Sequence, residues 1–170
     1  MVGRTCLTVA VALMLGVSTS CASSNSRSVL FTDHDAKVSI RHPASWNVLD
    51  KFSVQTIPSR MALASFPVAD FSSEGDCSAY KAIAQLPSAG AVIFILEYTN
   101  DDTSFKFEAR PERFTLDKKL LAHRECYGQS YEIAFRAGGR LFQVYVALGS
   151  AVSTETRQQA LDVLDSIQIM

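Results

Sequence analysis

The sequence has no surplus of either charge: 16 basic side chains stand against 17 acidic ones, a formal net charge of −1 over 170 residues. That balance excludes the basic face that nucleic-acid binding requires. Lys118-Lys119 is the one adjacent basic pair, and with Asp117 and Glu125 close by it reads as solvated surface. Long apolar runs are also missing. The apolar run near the start, Leu7 to Val17, would span about 16 Å as a helix, against about 30 Å of bilayer hydrocarbon. The sequence contains no GxSxG, HExxH, P-loop or GxGxxG pattern, which removes the common hydrolase, zinc and nucleotide signatures. It is not poor in core-forming residues: 48% are hydrophobic and 19% charged, as in globular domains.

What is present begins at the amino terminus. Arg4 supplies a positive charge, Leu7 to Val17 an apolar segment too short to anchor, and Ser18, Thr19 and Ser20 small residues directly before Cys21. This order resembles the lipobox of bacterial lipoproteins, with Ser18 standing where that family usually has Leu. The resemblance implies that residues 1–20 are a signal peptide, that the Cys21 thiol receives diacylglycerol, and that the chain is cut before it. Loss of Arg4 with the signal takes the formal charge from −1 to −2. Plain secretion with cleavage near Ala22 is the alternative. Residues 21–28 then form a short polar tether, and several acyl chains hold a protein on a membrane where one is marginal. The expected location is the outer side of a cell membrane, with the lipid as the membrane contact.

Cysteine is scarce, with four in the chain. Cys6 falls in the signal and Cys21 takes the lipid, so Cys77 and Cys126 remain. An exported domain folds where disulfides persist, and two thiols admit one pairing. The loop they would close has about 50 residues, worth roughly 4 kcal/mol in the chain-entropy model. Two buried free thiols are the alternative, and nothing in the spacing suggests CxxC redox chemistry or zinc.

Residues 29–170, 142 in number, suit one domain. Val38 and Ile40 alternate with polar residues as in a half-buried strand ended by His42-Pro43. Trp46 opens a second run, WNVLDKF, and 61–68 a third. The period then changes: Cys77, Tyr80, Ile83 and Ala84 fall at helical spacing before Pro87. Ala91 to Tyr98 is nearly all apolar, a strand covered on both faces. Asn100 to Asp102 marks a turn before Phe105 and Phe107. Gly138-Gly139 suits a two-residue hairpin turn, pairing Phe135 with Phe142, Ile133 with Val144 and Tyr131 with Val146 on one face. Ser153 or Thr154 caps a closing helix whose Ala160, Val163, Leu164 and Ile167 share a side. The expected class is α+β, a largely antiparallel sheet with a mid-chain and a C-terminal helix.

The segment KVSIRHPASWNV, with His42-Pro43 and Trp46, and the ending LDVLDSIQI resemble the Mog1/PsbP-like domains of small bacterial lipoproteins. Leu164-Asp165-Ser166-Ile167 is similar to that family's closing helix-to-strand turn. The resemblance spans about residues 29–170 and implies an α/β/α sandwich; it carries no catalytic residue and no activity.

Chemistry is thinly signalled. Asp33-His34-Asp35 would converge poorly on one metal ion and reads as a solvated loop; His42 reads as a strand-end residue and His123 as surface. Carboxylate pairs Asp101-Asp102 or Glu108 with Glu112 lack any sign of the burial that glycosidase chemistry needs. Arg110, Arg113 and Arg124 would suit an anion or lipid headgroup, but Glu108, Glu112 and Glu125 favour ion-paired surface. Trp46, Phe52 and Phe66 would line a pocket or, by default, the core. No catalytic residue, metal or cofactor is expected. The expected function is non-catalytic binding of a protein or small ligand; the alternative is a cell-envelope hydrolase, which a cleft gathering His, Asp and Ser would favour.

Overall fold

A computed structural model describes residues 27–50, 59–69, 78–98 and 106–170. The described chain forms β1 (Ser28–Asp33), β2 (Val38–Pro43), β3 (Asn47–Asp50), β4 (Ser59–Ala64), α1 (Ser78–Ala84) and β5 (Ala91–Tyr98). It continues with β6 (Glu108–Ala109), β7 (Leu121–Arg124), β8 (Gly128–Ala137), β9 (Arg140–Leu148), α2 (Thr154–Asp165) and β10 (Gln168–Ile169). The class is α+β with mostly antiparallel sheets, as the hydropathy pattern predicts.

The strands make two sheets. The larger runs β3-β4-β5-β9-β8-β6, with β7 also on β8; the smaller runs β1-β2-β10. The hairpin β8–β9 has the expected register, Phe135 on Phe142, Ile133 on Val144 and Tyr131 on Val146. Its turn works because Gly138 and Gly139 take φ of 58° and 73°, a region that side chains disfavour. One parallel pair departs from the antiparallel pattern: β6 lies alongside Phe135 and Arg136 of β8.

Alternation along the central strands builds two cores. Ala91, Ile93 and Ile95 of β5 join Phe142, Val144 and Val146 of β9 in one apolar cluster, with Val38, Ile40 and Trp46. That cluster is closed by Ala160, Val163, Leu164 and Ile167, the face expected of α2. Val92, Phe94 and Leu96 turn the other way and pack with Tyr127, Tyr145, Ala147 and α1. The apolar run of β5 is therefore covered on both sides, by α2 and the small sheet on one and by α1 on the other.

Helix α1 corrects one expectation. Tyr80 is 59% exposed and Ala84 is exposed, while Ala79 and Ala82 are buried. Small side chains let the helix lie close to the sheet, so the buried stripe is set by alanines and not by the tyrosine. Ser28, expected as the end of the tether, is the first residue of β1. Helix α2 begins at the Ser153 cap, whose hydroxyl accepts from Thr156 N at 3.0 Å.

Asp165 ends α2 and Ser166 caps it, after which Ile167 enters the core and β10 pairs with Ser39 and Val38 of β2. Asp165 holds the 106–120 segment: its carboxylate accepts from Phe114 N at 2.8 Å and from Arg113 Nη1 at 3.0 Å. Arg110 Nη2 donates to the Asp165 carbonyl at 2.9 Å. A second tie joins the two sheets. Arg140 donates from Nε and Nη2 to Glu97 at 2.8 and 2.7 Å, and from Nη2 to the Ala36 carbonyl at 2.7 Å. Such a two-pronged, half-buried pair fixes geometry better than a surface ion pair.

Candidate functional site

The small sheet and α2 meet in a cleft of about 250 Å³, lined by Ser28, Arg41, His42, Pro43, Gln159, Asp162, Val163 and Ser166. Its walls follow from two periodicities. Residues 159, 162, 163 and 166 lie at helical spacings of three and four, one stripe beside the buried face of α2. From the sheet come the last three residues of β2 and the first of β1.

Four of the polar side chains here have a local partner. His42 is buried at 8% exposure, and its Nδ1 lies 2.9 Å from the Pro43 carbonyl. A carbonyl only accepts, so that contact places a proton on Nδ1. The Ser166 hydroxyl accepts from Arg41 N at 2.9 Å and lies 2.7 and 3.0 Å from the carbonyls of Val163 and Arg41. Asp162 accepts from Gln158 Nε2 at 2.9 Å, and Gln159 Oε1 accepts from Trp46 Nε1 at 3.2 Å. The cleft thus gathers His, Asp and Ser, but of its two serines Ser166 serves the helix end and the strand, and Ser28 stands at the start of β1. What the arrangement offers a ligand is one guanidinium, one carboxylate, one amide and an apolar floor.

A second polar group sits on the other side of the large sheet. Arg124 donates to both oxygens of Glu132, at 2.9 and 3.1 Å, and Gln143 Nε2 donates to the same carboxylate at 2.7 Å. Gln143 is fully buried, and its Oε1 has no hydrogen-bond partner among the described residues. Tyr127 and Tyr145 stack beside it with centroids 3.9 Å apart. Burial pushes both phenols well above the ordinary tyrosine range; for Tyr98, burial and then the Glu132 charge raise it, against a smaller opposing effect of Arg124.

The residues singled out in the sequence do not converge. His34 and His123 are exposed, in the β1–β2 turn and on β7, and only His42 enters the cleft. Asp33 caps the β1–β2 turn by accepting from Ala36 N at 2.8 Å. Among the described residues, no group of three His, Cys, Asp or Glu side chains is placed to hold a metal ion. Arg110 and Arg113 meet at Asp165, while Arg124 pairs with Glu132 elsewhere, so the three form no single anion site. Ion pairing was expected with Glu108, Glu112 and Glu125. The partners are Asp165 and Glu132, brought in by the fold from 52 and 8 residues away.

Trp46 and Phe66 belong to different clusters on opposite faces of the sheet, so they share no pocket. Phe52, Asp101, Asp102 and Phe105 lie outside the described residues, as do Cys21 and Cys77. Cys126 is disulfide-bonded, and the other three cysteines all lie outside the described residues. Among the described residues no helix is long and apolar enough to cross a membrane. Sequence reasoning did not find the Glu97–Arg140 tie or the Gln159–Asp162–Ser166 stripe, because each takes its meaning from a partner strand far along the chain.

No family model, curated protein or solved structure matches the chain.

Proposed function

We propose that this chain is a membrane-anchored extracytoplasmic lipoprotein, lipidated at Cys21, whose domain binds a protein or small ligand without catalysing a reaction. The anchor rests on the sequence: a short apolar segment, three small residues, Cys21 and a polar tether. The absence of catalysis rests on one observation in the cleft. The Ser166 hydroxyl lies within hydrogen-bond distance of three backbone groups, which a nucleophile aimed at a substrate would not be. The closing turn Leu164-Asp165-Ser166-Ile167, running from α2 into β10, supports a Mog1/PsbP-like arrangement of the domain.

Changing Cys21 to Ser in cells tests the anchor. The protein is expected to leave the membrane fraction or to accumulate uncut; a variant that stays in the membrane fraction at its mature size contradicts it.

A cell-envelope hydrolase is the second reading, favoured by His42, Asp162 and Ser28 lining one cleft. If a hydrolytic activity of the purified protein vanished in His42→Ala at unchanged melting temperature, this second reading would replace the first.

A further inference from the structure

We propose that the outer face of the β1–β2 hairpin rests on the headgroup layer of the membrane that holds the lipid, with Leu30 at the centre and Arg27 and Arg41 beside it. The inference rests on the lipid anchor at Cys21 proposed above.

The first support is reach. The Arg27 carbonyl accepts from Ala44 N at 2.8 Å, so the domain grips the chain at that point. Between Cys21 and Arg27 there are six residue steps, which even fully extended span at most about 21 Å. The tether-side end of the small sheet is therefore held within that distance of the lipid, whatever path the tether takes. Short links of this kind keep a weak contact at high effective concentration.

The second support is the surface itself. Leu30 is 51% exposed and pairs directly with Arg41, whose side chain is also exposed on the outer face. Large exposed hydrophobic side chains are few among the described residues, and Leu30 is one of them; Val29, 38% exposed and paired with the buried His42, points to the opposite face of the strand. At the tether end of the hairpin, residues 27–32 and 39–49 contain Arg27 and Arg41 and no carboxylate; the hairpin's acids, Asp33 and Asp35, lie at its far, turn end, and Asp162 stands across the cleft.

An exposed Leu30 paired with Arg41, with Arg27 three residues back toward the tether, matches a layer of anionic phosphates over acyl chains, to which basic residues near a membrane are drawn. Ser28 and Arg41 also line the cleft, which joins this face to the cleft's rim.

The test uses the full mature lipoprotein reconstituted into vesicles containing phosphatidylglycerol and a nitroxide-labelled lipid. An environment-sensitive fluorophore is attached at Leu30→Cys or, as a reference, at Ala84→Cys on α1, which covers the far side of the large sheet. The expected result is blue-shifted emission and at least twofold stronger quenching at position 30 than at 84. Exchanging both arginines for Glu should bring the two positions to the same quenching. Equal quenching at both positions, in protein that floats with the vesicles, overturns the seat and leaves the anchor standing. Protein that does not float overturns the anchor and the seat together.

Discussion

Ser166 and Arg41, 125 residues apart in the chain, are joined twice through one hydroxyl: Ser166 Oγ accepts from Arg41 N at 2.9 Å and lies 3.0 Å from Arg41 O. The contact continues the β2 edge just where β10 has not yet begun, so a side chain stands in for a strand. Ser166→Ala leaves the Arg41 amide unmatched and should cost about 1–2 kcal/mol in urea unfolding. A change under a few tenths of a kcal/mol would show that water replaces the hydroxyl without loss.

Asp165 and Arg113 should prove unequal partners. Arg113 is 79% exposed, so Arg113→Ala should cost less than about 1 kcal/mol. Asp165→Ala removes the acceptor of Phe114 N as well and should cost about 1–3 kcal/mol. Equal losses in parallel denaturant curves would mean that the ion pair, and not the backbone bond, carries the contact.

Alkaline pH should unfold the protein through its tyrosines. Burial raises the folded-state values of Tyr127 and Tyr145 above the ordinary 10.0. Raised values favour the neutral phenols of the folded state, so their contribution is complete below pH 10 and is lost as pH climbs beyond it. Phenolate absorbance should therefore appear together with loss of structure, and Tyr127→Phe should displace that transition. Titration of every tyrosine near 10 in still-folded protein would contradict the burial.

Cys126 should be found joined to Cys77. Cys77 directly precedes α1, and Ile83 of that helix packs in the same cluster as Cys126. Peptide mapping without reduction should recover the two in one linked fragment. Stoichiometric labelling of Cys77 in the folded, unreduced protein would exclude the pairing.

How much of this fold the sequence discloses varies with the distance over which each element is determined. The β8–β9 hairpin is legible because the turn glycines and the apolar alternation specify the same register locally. The buried face of α2 is legible because four residues repeat at helical spacing. Strands β6, β7 and β10 are not: two to four residues carry no period, and each exists because β8 or β2 offers an edge. β1, with the sequence SVLFTD, shows no clean alternation and takes its place from β2 alone. The cleft is hidden for the same reason, since His42 and Asp162 become neighbours only once β10 draws α2 back onto β2. Arg124 shows the limit for charges: Glu132, across the β7–β8 pair, takes its two-pronged contact from eight residues away.

The lipid on Cys21 is the claim on which location, orientation and membrane contact all depend. Mass spectrometry of the amino-terminal peptide from membrane-purified protein reads it directly. The expected peptide begins at Cys21 and carries diacylglycerol on the thiol; an unmodified amino terminus at Ala22 or beyond would contradict the account.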